Sequence, residues 1–298
     1  MAASRELPVW IRAPLPSREY SSVQDLIRRS GLATVCREAH CPNLTECWSR
    51  GTATIMLLGE SCTRRCSFCA VRTEDRAGKV DTSEPQRVAV AVRDSGLKYV
   101  VLTMVARDDL PDHGAEILTE TIRQIRSLSP QVGVEMLTSD LGGSHPALEK
   151  VLGSRPEVFA HNIETVRRLS PRGRDPRASY DRSLGVLRRA KETGPPGLIT
   201  KSSIMLGLGE THEELQAAMR DLRDAQVDIL TLGQYLRPGG QGYLDVERYV
   251  PPPEFAALAA EARALGFRGV ASGPLVRSSY MAEELYRKAH APTAAEAI

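Results

Sequence analysis

The sequence predicts an α/β fold in which a parallel sheet is covered by helices, and the alternation of strand and helix patterns leads to this prediction. Apolar runs of strand length, rich in β-branched residues, alternate with helical patterns along most of the 298-residue chain. Strands are predicted at residues 54–59, 99–105, 132–137, 157–161, 198–205 and 227–233, and helices at residues 84–96, 114–128, 145–153, 180–193, 211–225 and 253–265. Right-handed crossovers would curl such a sheet into a barrel or an open doubly wound sheet, and the pattern alone does not choose between them. In either fold, functional residues gather at the carboxyl ends of the strands.

An extension is predicted at each end of this α/β body. The N-terminal extension, the body and the C-terminal extension are predicted at residues 1–50, 51–265 and 266–298. Proline and polar residues as far as Gln24 indicate an extended arm, with a short helix at residues 23–29. The C-terminal extension is expected to contain a last strand at residues 267–271 and a helix that ends near residue 289.

The near balance of charges argues against a nucleic-acid partner. The chain has 39 basic and 37 acidic residues, a formal net charge of +2, whereas a nucleic-acid binder neutralises many phosphates. Its longest apolar stretches, such as residues 99–105, fall short of the roughly 20 residues that cross a bilayer, so no membrane association is expected.

All six cysteines lie between positions 36 and 69, in two groups of three. We call Cys36-x4-Cys41-x5-Cys47 the first trio and Cys62-x3-Cys66-x2-Cys69 the second trio. Disulfides suit short secreted domains, and structural zinc requires four ligands, of which each trio supplies three, with His40 as a nearby candidate for a fourth. An iron-sulfur cube held by three thiolates leaves one iron open for another ligand, so the trios favour iron-sulfur clusters. Such clusters assemble with reduced thiols, and we therefore expect a reducing compartment, most simply a bacterial cytoplasm.

The second trio follows the first predicted strand of the body directly. The apolar run at residues 54–59 leads into the cysteine loop at residues 60–69, in which Arg64 and Arg65 are expected to offset the negative charge of a cluster. The spacing C-x3-C-x2-C, with Phe68 just before the last cysteine, resembles the signature of the radical S-adenosylmethionine (SAM) superfamily. The resemblance implies a partial (β/α)6 TIM-like barrel of the radical SAM type. It also implies an open iron that chelates the amino and carboxylate groups of SAM, with the adenine near Phe68.

The first trio narrows the resemblance to one family. Its spacing C-x4-C-x5-C looks like the extra cluster-binding segment of lipoyl synthases. Further segments that resemble this family occur along almost the whole chain, at residues 8–12, 51–54, 107–112, 161–165, 200–202, 207–211, 233–236 and 272–280. The resemblance implies two 4Fe-4S clusters, one on each trio, and SAM as a further cofactor.

The segment Arg277-Ser278-Ser279-Tyr280 contains a candidate seventh metal ligand. In lipoyl synthases this stretch supplies a serine oxygen to the fourth iron of the extra cluster, and by position that serine resembles Ser278. A hard oxygen ligand on a soft cluster is weak and replaceable, which suits a cluster that must come apart. The alternative is that Ser278 or Ser279 caps the helix that begins near Met281.

Two polar residues after the fourth predicted strand are candidate SAM contacts. Asn162 and Glu164 are two residues apart, so in extended backbone their side chains point the same way. The resemblance implies that they hold the ribose or methionine end of SAM, whereas an Asx turn and a Glu in a first helical turn are the alternative. Lys201 and Arg277 are candidate contacts for carboxylates of substrate or SAM, and residues 107–109 for the SAM amino group, with surface ion pairs as the alternative.

The resemblance implies a sulfur-inserting reaction. An unactivated C–H bond has no acidic proton, so a radical cofactor must open it. Reductive cleavage of SAM at the second trio would yield a radical that removes hydrogen from carbons 6 and 8 of an octanoyl chain on a carrier-domain lysine. The cluster on the first trio would then donate its sulfides, with Ser278 as the ligand that it releases.

The expected partners follow from this reaction. They are an octanoylated carrier (a 2-oxoacid dehydrogenase E2 or the glycine cleavage H protein), an electron donor such as ferredoxin or flavodoxin, and an iron-sulfur carrier that rebuilds the consumed cluster. Two alternatives stay open: another radical SAM sulfur-transferring enzyme with a different substrate, and a non-enzymatic metal-binding scaffold.

Overall fold

The structure is a computed structural model, and it describes residues 7–11, 18–49 and 52–291. Its strands are β1 (Ala33–Thr34), β2 (Thr54–Leu57), β3 (Ser61–Cys62), β4 (Arg72–Thr73), β5 (Tyr99–Met104), β6 (Gly133–Leu137), β7 (Val158–Ala160), β8 (Ile199–Leu206), β9 (Ile229–Gln234) and β10 (Gly269–Gly273). Its helices are α1 (Arg18–Arg29), α2 (Val35–Glu38), α3 (Leu44–Ser49), α4 (Glu84–Ser95), α5 (Ala115–Leu128), α6 (His145–Gly153), α7 (Ser170–Gly173), α8 (Tyr180–Thr193), α9 (His212–Asp224), α10 (Pro252–Ala264) and α11 (Ala282–His290).

Eight strands form one sheet in the order β1-β2-β5-β6-β7-β8-β9-β10. β1 runs antiparallel to β2, and all the other neighbouring pairs are parallel. Within the described part of the chain, no hydrogen-bonded pair joins β1 to β10, so the sheet stays open. The predicted α/β class and the partial barrel are confirmed, and no end of the twelve predicted strands and helices of the body differs by more than two residues.

The structure differs from the sequence-based expectation mainly in the N-terminal extension. The predicted extended arm is wrong for residues 18–24, which belong to helix α1. This helix forms because its apolar face packs on α3: the ring of Tyr20 lies 5.3 Å from that of Trp48, and Ile27 is buried. The prolines of the proposed arm lie outside the described residues.

Both extensions contribute a strand to the sheet. β1 pairs with β2 at one edge, through the partners Ala33–Met56 and Thr34–Ile55. β10 pairs with β9 at the other edge and begins two residues later than predicted. Leu285 of α11 packs with Ile199 and Ile229, which open β8 and β9, so α11 covers the beginning of these strands. The second trio follows the opposite, carboxyl end of β2, whereas Cys36 of the first trio lies near Thr54, at its amino end.

No helix among the described residues is long and apolar enough to cross a membrane.

Candidate active site

The second trio lies on a loop that leaves the carboxyl end of β2. Gly59 turns the chain with a φ of 88°, a conformation that glycine adopts without strain. Cys62 ends β3, and the loop is closed by the parallel pairing of β3 with β4, where Cys62 is the partner of Thr73. The Cys69 N–H donates to the carbonyl of Cys66 (3.1 Å), which bends the loop between the last two thiols.

Arg64, in the middle of this loop, is buried and engaged by two carboxylates. Its guanidinium lies 2.7 Å from Asp108 and 2.6 Å from Asp140, which follow β5 and β6. Its backbone N–H also approaches the sulfur of Cys62 at 3.4 Å. Arg65 behaves differently, since its side chain is 62% exposed and pairs with Asp75. Of the two arginines expected beside the cluster, Arg64 is therefore the one that lies against a thiol.

The first trio is carried by two short helices and the turn between them. Cys36 lies on α2 and Cys47 on α3, and the Cys41 N–H donates to the carbonyl of Cys36 at 3.0 Å. Cys36 is buried beside Trp48, whose side chain is 1% exposed. Burial raises the pKa of the Cys36 thiol, and a hydrogen bond with the Thr54 backbone lowers it by less.

The C-terminal extension closes over the first trio. Asn43 donates its side-chain N–H to the carbonyl of Leu275, and the Tyr280 hydroxyl donates to Glu46 (3.1 Å). These contacts join residues that are far apart in the chain, and sequence reasoning did not identify them. They bring Ser278, which lies between Leu275 and Tyr280 in the chain, to the same side of the molecule as the first trio.

The structure does not use Ser278 or Ser279 as the cap of α11. The residue before this helix is Met281, with a φ of 50°, and no side chain of the described residues caps its first turn. Arg277 lies beside Cys41: burial lowers the pKa of the guanidinium, and the nearby Cys41 thiolate raises it. The turn that precedes α11 thus presents a cation and a serine to the first trio.

A cavity of about 440 Å³ connects the two trios. All three cysteines of the first trio line it, together with Ser278, and its far wall includes Phe68 and Cys69 of the second trio. Val101 and Met205 add apolar surface from β5 and β8. The volume lies in the range of small-molecule sites, and the wall combines apolar side chains with a few polar groups, as such sites do.

The chemistry of the two trios fits metal clusters better than free thiols. Burial raises the pKa of all six thiols, to about 12 for Cys47, about 11 for Cys66 and about 12 for Cys69. Within each trio the neighbouring thiolates repel one another, which adds to this rise. Three thiolates therefore come together only where a positive centre compensates their charge, and binding of that centre releases the protons.

No three His, Cys, Asp or Glu side chains converge on one point suited to a single metal ion, as far as the described residues show. A cubane cluster does not need such a point, because its thiolates bind separate irons.

Asn162 and Glu164 lie beside the second trio. Glu164 is bridged to β8 at Ile204, and its carboxylate raises the pKa of Cys66 and Cys69, behind burial as the larger cause. Burial raises the pKa of Glu164 itself, while Arg174 and the Asn162 amide lower it. The Oδ1 atom of Asn162 is buried without a hydrogen-bond partner among the described residues. An unpaired acceptor and a carboxylate beside the second trio suit a polar ligand such as SAM.

Arg174, which sequence reasoning missed, is oriented by a buried chain of hydrogen bonds. Its guanidinium donates to the Ser183 hydroxyl (2.7 Å), which lies 2.7 Å from Nε2 of His161. Nδ1 of His161 lies 2.9 Å from the carbonyl of Thr138, which can only accept, so Nδ1 carries the proton and Nε2 accepts from Ser183. Burial lowers the pKa of His161 to about 4, which keeps the ring neutral and this direction of donation intact. In the sequence, only the run of charged residues around Arg174 could have indicated that this residue belongs to the site.

Two other candidate contacts are engaged elsewhere. Lys201 forms an ion pair with Glu135 (2.7 Å) in the barrel, and both side chains are 1% exposed. Asp109 pairs with Arg107 at 2.8 Å, and its neighbour Asp108 binds the loop arginine described above. These groups make ion pairs within the protein, and their contacts with SAM or substrate stay a prediction.

Comparison with known proteins relates the chain to one superfamily and to one group of enzymes within it. The Radical SAM superfamily model matches residues 56–222. A lipoyl synthase of Thermus thermophilus is 55% identical over 286 residues, which cover 96% of this chain and 88% of the relative. Lipoyl synthases of Symbiobacterium thermophilum (55% over 278 residues, 93% and 86% covered) and Deinococcus radiodurans (53% over 279 residues, 93% and 84% covered) are similarly close.

Solved structures agree with the fold. The [FeFe]-hydrogenase maturase HydG superposes with a TM-score of 0.58 at 16% identity, covering 72% of this chain and 50% of HydG. Methylornithine synthase (PylB) gives a TM-score of 0.52 at 17% identity, with 76% and 63% covered.

Proposed function

Because the chain belongs to the lipoyl synthase family of the radical SAM superfamily, we propose a specific residue for each part of that activity. The enzyme is a sulfurtransferase that inserts two sulfur atoms at C6 and C8 of a protein-bound octanoyl-lysine, and it uses two 4Fe-4S clusters and SAM. It acts on lipoyl carrier proteins. SAM at a reduced cluster supplies the radical that opens the C–H bonds, and the auxiliary cluster supplies the sulfur.

We assign the auxiliary cluster to the first trio and the SAM-binding cluster to the second. Cys36, Cys41 and Cys47 would hold the former with Ser278 as the fourth ligand, and Cys62, Cys66 and Cys69 would hold the latter. The cavity carries this assignment, because its wall contains the first trio, Ser278 and Cys69 together. A substrate in this cavity would reach both clusters from one binding site.

For SAM we propose contacts with Phe68, Asn162 and Glu164. The aromatic ring of Phe68 lines the cavity next to Cys69. The unpaired Asn162 oxygen and the Glu164 carboxylate supply polar partners of the kind that a ribose or an ammonium group requires. Their closeness to Cys66 and Cys69 supports a ligand that also contacts the cluster.

The octanoyl chain, in this proposal, occupies the apolar side of the cavity. Val101 and Met205 offer it aliphatic contacts, and exclusion of water there would protect carbon radicals from side reactions. The carrier is an E2 domain or an H protein in this proposal, with ferredoxin or flavodoxin as electron donor and an iron-sulfur carrier for repair. A cytoplasmic location belongs to the same proposal.

The decisive experiment compares the chain with its Cys36→Ala variant under anaerobic conditions. With SAM, a strong reductant and an octanoyl-lysyl peptide, mass spectrometry should detect two added sulfurs for the unaltered protein. It should contain about eight irons and eight sulfides per chain. The variant should still cleave SAM but add no sulfur, because the donor cluster is lost. Normal product from the variant, or stoichiometric zinc in the unaltered protein, would contradict the assignment.

Ser278→Ala tests the proposed oxygen ligand separately. We expect an altered Mössbauer spectrum for the auxiliary cluster and a sulfur insertion rate that falls by about tenfold, with SAM cleavage retained. Ser279→Ala is the matched control, since this neighbour lines the same cavity and should leave the spectrum unchanged. If the spectrum of Ser278→Ala equals that of the unaltered protein, Ser278 is not a ligand.

A further inference from the structure

We propose that Asp175 and Arg177 are positioning residues that hold the cysteine loop of the SAM-binding cluster in its ligating shape. They lie in the loop between α7 and α8 and contact the backbone of residues 63–66. The inference rests on the proposed assignment of the second trio to that cluster. Neither residue faces the substrate cavity, so their effect would act through the cysteine loop alone.

Asp175 contacts the loop at two successive residues. Its carboxylate accepts the backbone N–H of Arg65 at 2.9 Å. Its own backbone N–H approaches the sulfur of Cys66 at 3.4 Å. The side chain of Asp175 is only 6% exposed, so the contact with Arg65 is largely shielded from water. One residue thus fixes the backbone before Cys66 and supplies an N–H group to its sulfur.

Arg177 contacts the loop at a third point and holds Asp175 in place. Its guanidinium donates to the Thr63 carbonyl at 2.5 Å. The same group donates to both carboxylate oxygens of Asp175, at 2.8 and 3.1 Å. A bidentate pair of this kind sets the orientation of both partners. Together the two residues contact three residues of the loop, Thr63, Arg65 and Cys66.

The same interval is attached on its other side to the segment after β5. Thr63 donates from its hydroxyl to Asp108 (2.9 Å), and its N–H donates to the carbonyl of Ala106 (3.0 Å). Asp175 and Arg177 therefore hold one side of the cysteine loop, and the segment after β5 holds the other side. Without these two residues, the segment from Cys62 to Cys66 would be held only by the residues after β5. The distance between the two thiols would then increase.

This support should appear in the stability of one cluster and not of the other. Loss of the acceptor of a buried backbone N–H should shift the equilibrium away from the ligating conformation of the loop by about tenfold. In Asp175→Ala and in Arg177→Ala we expect the SAM-binding cluster to lose iron to a chelator about tenfold faster than in the unaltered chain. We also expect a changed electron paramagnetic resonance signal on addition of SAM. The auxiliary cluster should keep its signal and its rate of iron loss.

Two further variants make the comparison specific. Asp175→Asn keeps an oxygen acceptor for the Arg65 N–H and should restore part of the stability of the cluster. Asp75→Asn removes an exposed ion pair with Arg65, on the same loop, and should match the unaltered chain.

The outcomes separate this inference from the proposed function. If Arg177→Ala and Asp175→Ala match the unaltered chain, or if both clusters become labile to the same degree, the positioning role is wrong. If Cys62→Ala retains the SAM-responsive signal, the ligand assignment itself fails, and the inference fails with it. Arg177 has a side chain that is 48% exposed, so its variant is expected to fold and keeps the test decisive.

Discussion

Glu164 is held in a backbone conformation that few residues adopt. Its φ is 70°, in the left-handed region where a side chain with a Cβ is uncommon. Strand β8 enforces this conformation, because the Glu164 N–H donates to Ser203 (3.1 Å) and the Met205 N–H donates to the Glu164 carbonyl (2.8 Å). Such strain persists mainly at functional sites, where surrounding contacts determine the geometry. It fits a carboxylate that must face the second trio.

His161 provides a prediction of pH dependence at the scale of one residue. Its folded pKa of about 4 lies below the ordinary value of 6.5, because burial disfavours the charged ring. Between pH 6.5 and about pH 4, His161 is therefore protonated in the unfolded chain and neutral in the folded chain. As the pH is lowered from 6.5 to about 4, the free energy of unfolding should decrease by roughly 3 kcal/mol because of this group alone.

His161→Gln tests this directly. Glutamine does not titrate, so urea unfolding of the variant should lose about 3 kcal/mol less than the unaltered chain over the same pH window. Both proteins should be prepared identically without clusters, since acid also releases iron. Parallel pH profiles for the two proteins would show that the histidine is not buried as a neutral ring.

At the scale of elements, the docking of the C-terminal extension on β9 depends on one glycine. A Cβ at Gly233 would lie 2.0 Å from the carbonyl oxygen of Val276, which is backbone and has little freedom to move. The close approach lets the segment before α11 lie against the sheet and reach the first trio through Asn43 and Tyr280. The family-like segment at 233–236 thus has a packing reason that the sequence pattern did not reveal.

Gly233→Ala should therefore damage the auxiliary cluster without touching its ligands. We expect a stability loss of roughly 1–3 kcal/mol from overpacking and the loss of most of the iron of that cluster. Anaerobic iron analysis and denaturant unfolding measure the two effects. Gly185→Ala, in helix α8 with nothing near its Cβ position, is the control and should leave iron content unchanged. Full iron content in Gly233→Ala would show that the extension docks by other contacts.

At the scale of the whole molecule, a buried ion pair joins strands across the barrel. Glu135 lies on β6 and Lys201 on β8, with β7 between them, and Tyr99 of β5 adds a hydrogen bond to Glu135 at 3.3 Å. Both charges are withdrawn from water, so each depends on the other for compensation. Together with Tyr99, the pair links β5, β6 and β8.

Lys201→Met should leave an uncompensated carboxylate and cost roughly 3–5 kcal/mol of unfolding free energy. The double variant Lys201→Met with Glu135→Leu should recover most of that loss, because no charge then stays buried. Urea unfolding measures both. Lys150→Met, which removes an exposed pair with Glu116, should change stability little. A single variant as stable as the unaltered chain would mean that water reaches Glu135.

Local pattern alone determined the strands and helices of the body and the two cysteine groups. Periodicity reports which face of a short segment is buried, and closely spaced thiols report a shared ligand, so both can be read without a fold. Tertiary structure decided which distant residues meet: Tyr280 with Glu46, Asp175 with the cysteine loop, and Lys201 with Glu135. Such contacts depend on strand register and on the paths of connecting loops. Both result from weak preferences of many residues and cannot be inferred from one short segment. The helical start of α1 belongs to the same class, because the burial of its apolar face on Trp48 outweighs its local composition.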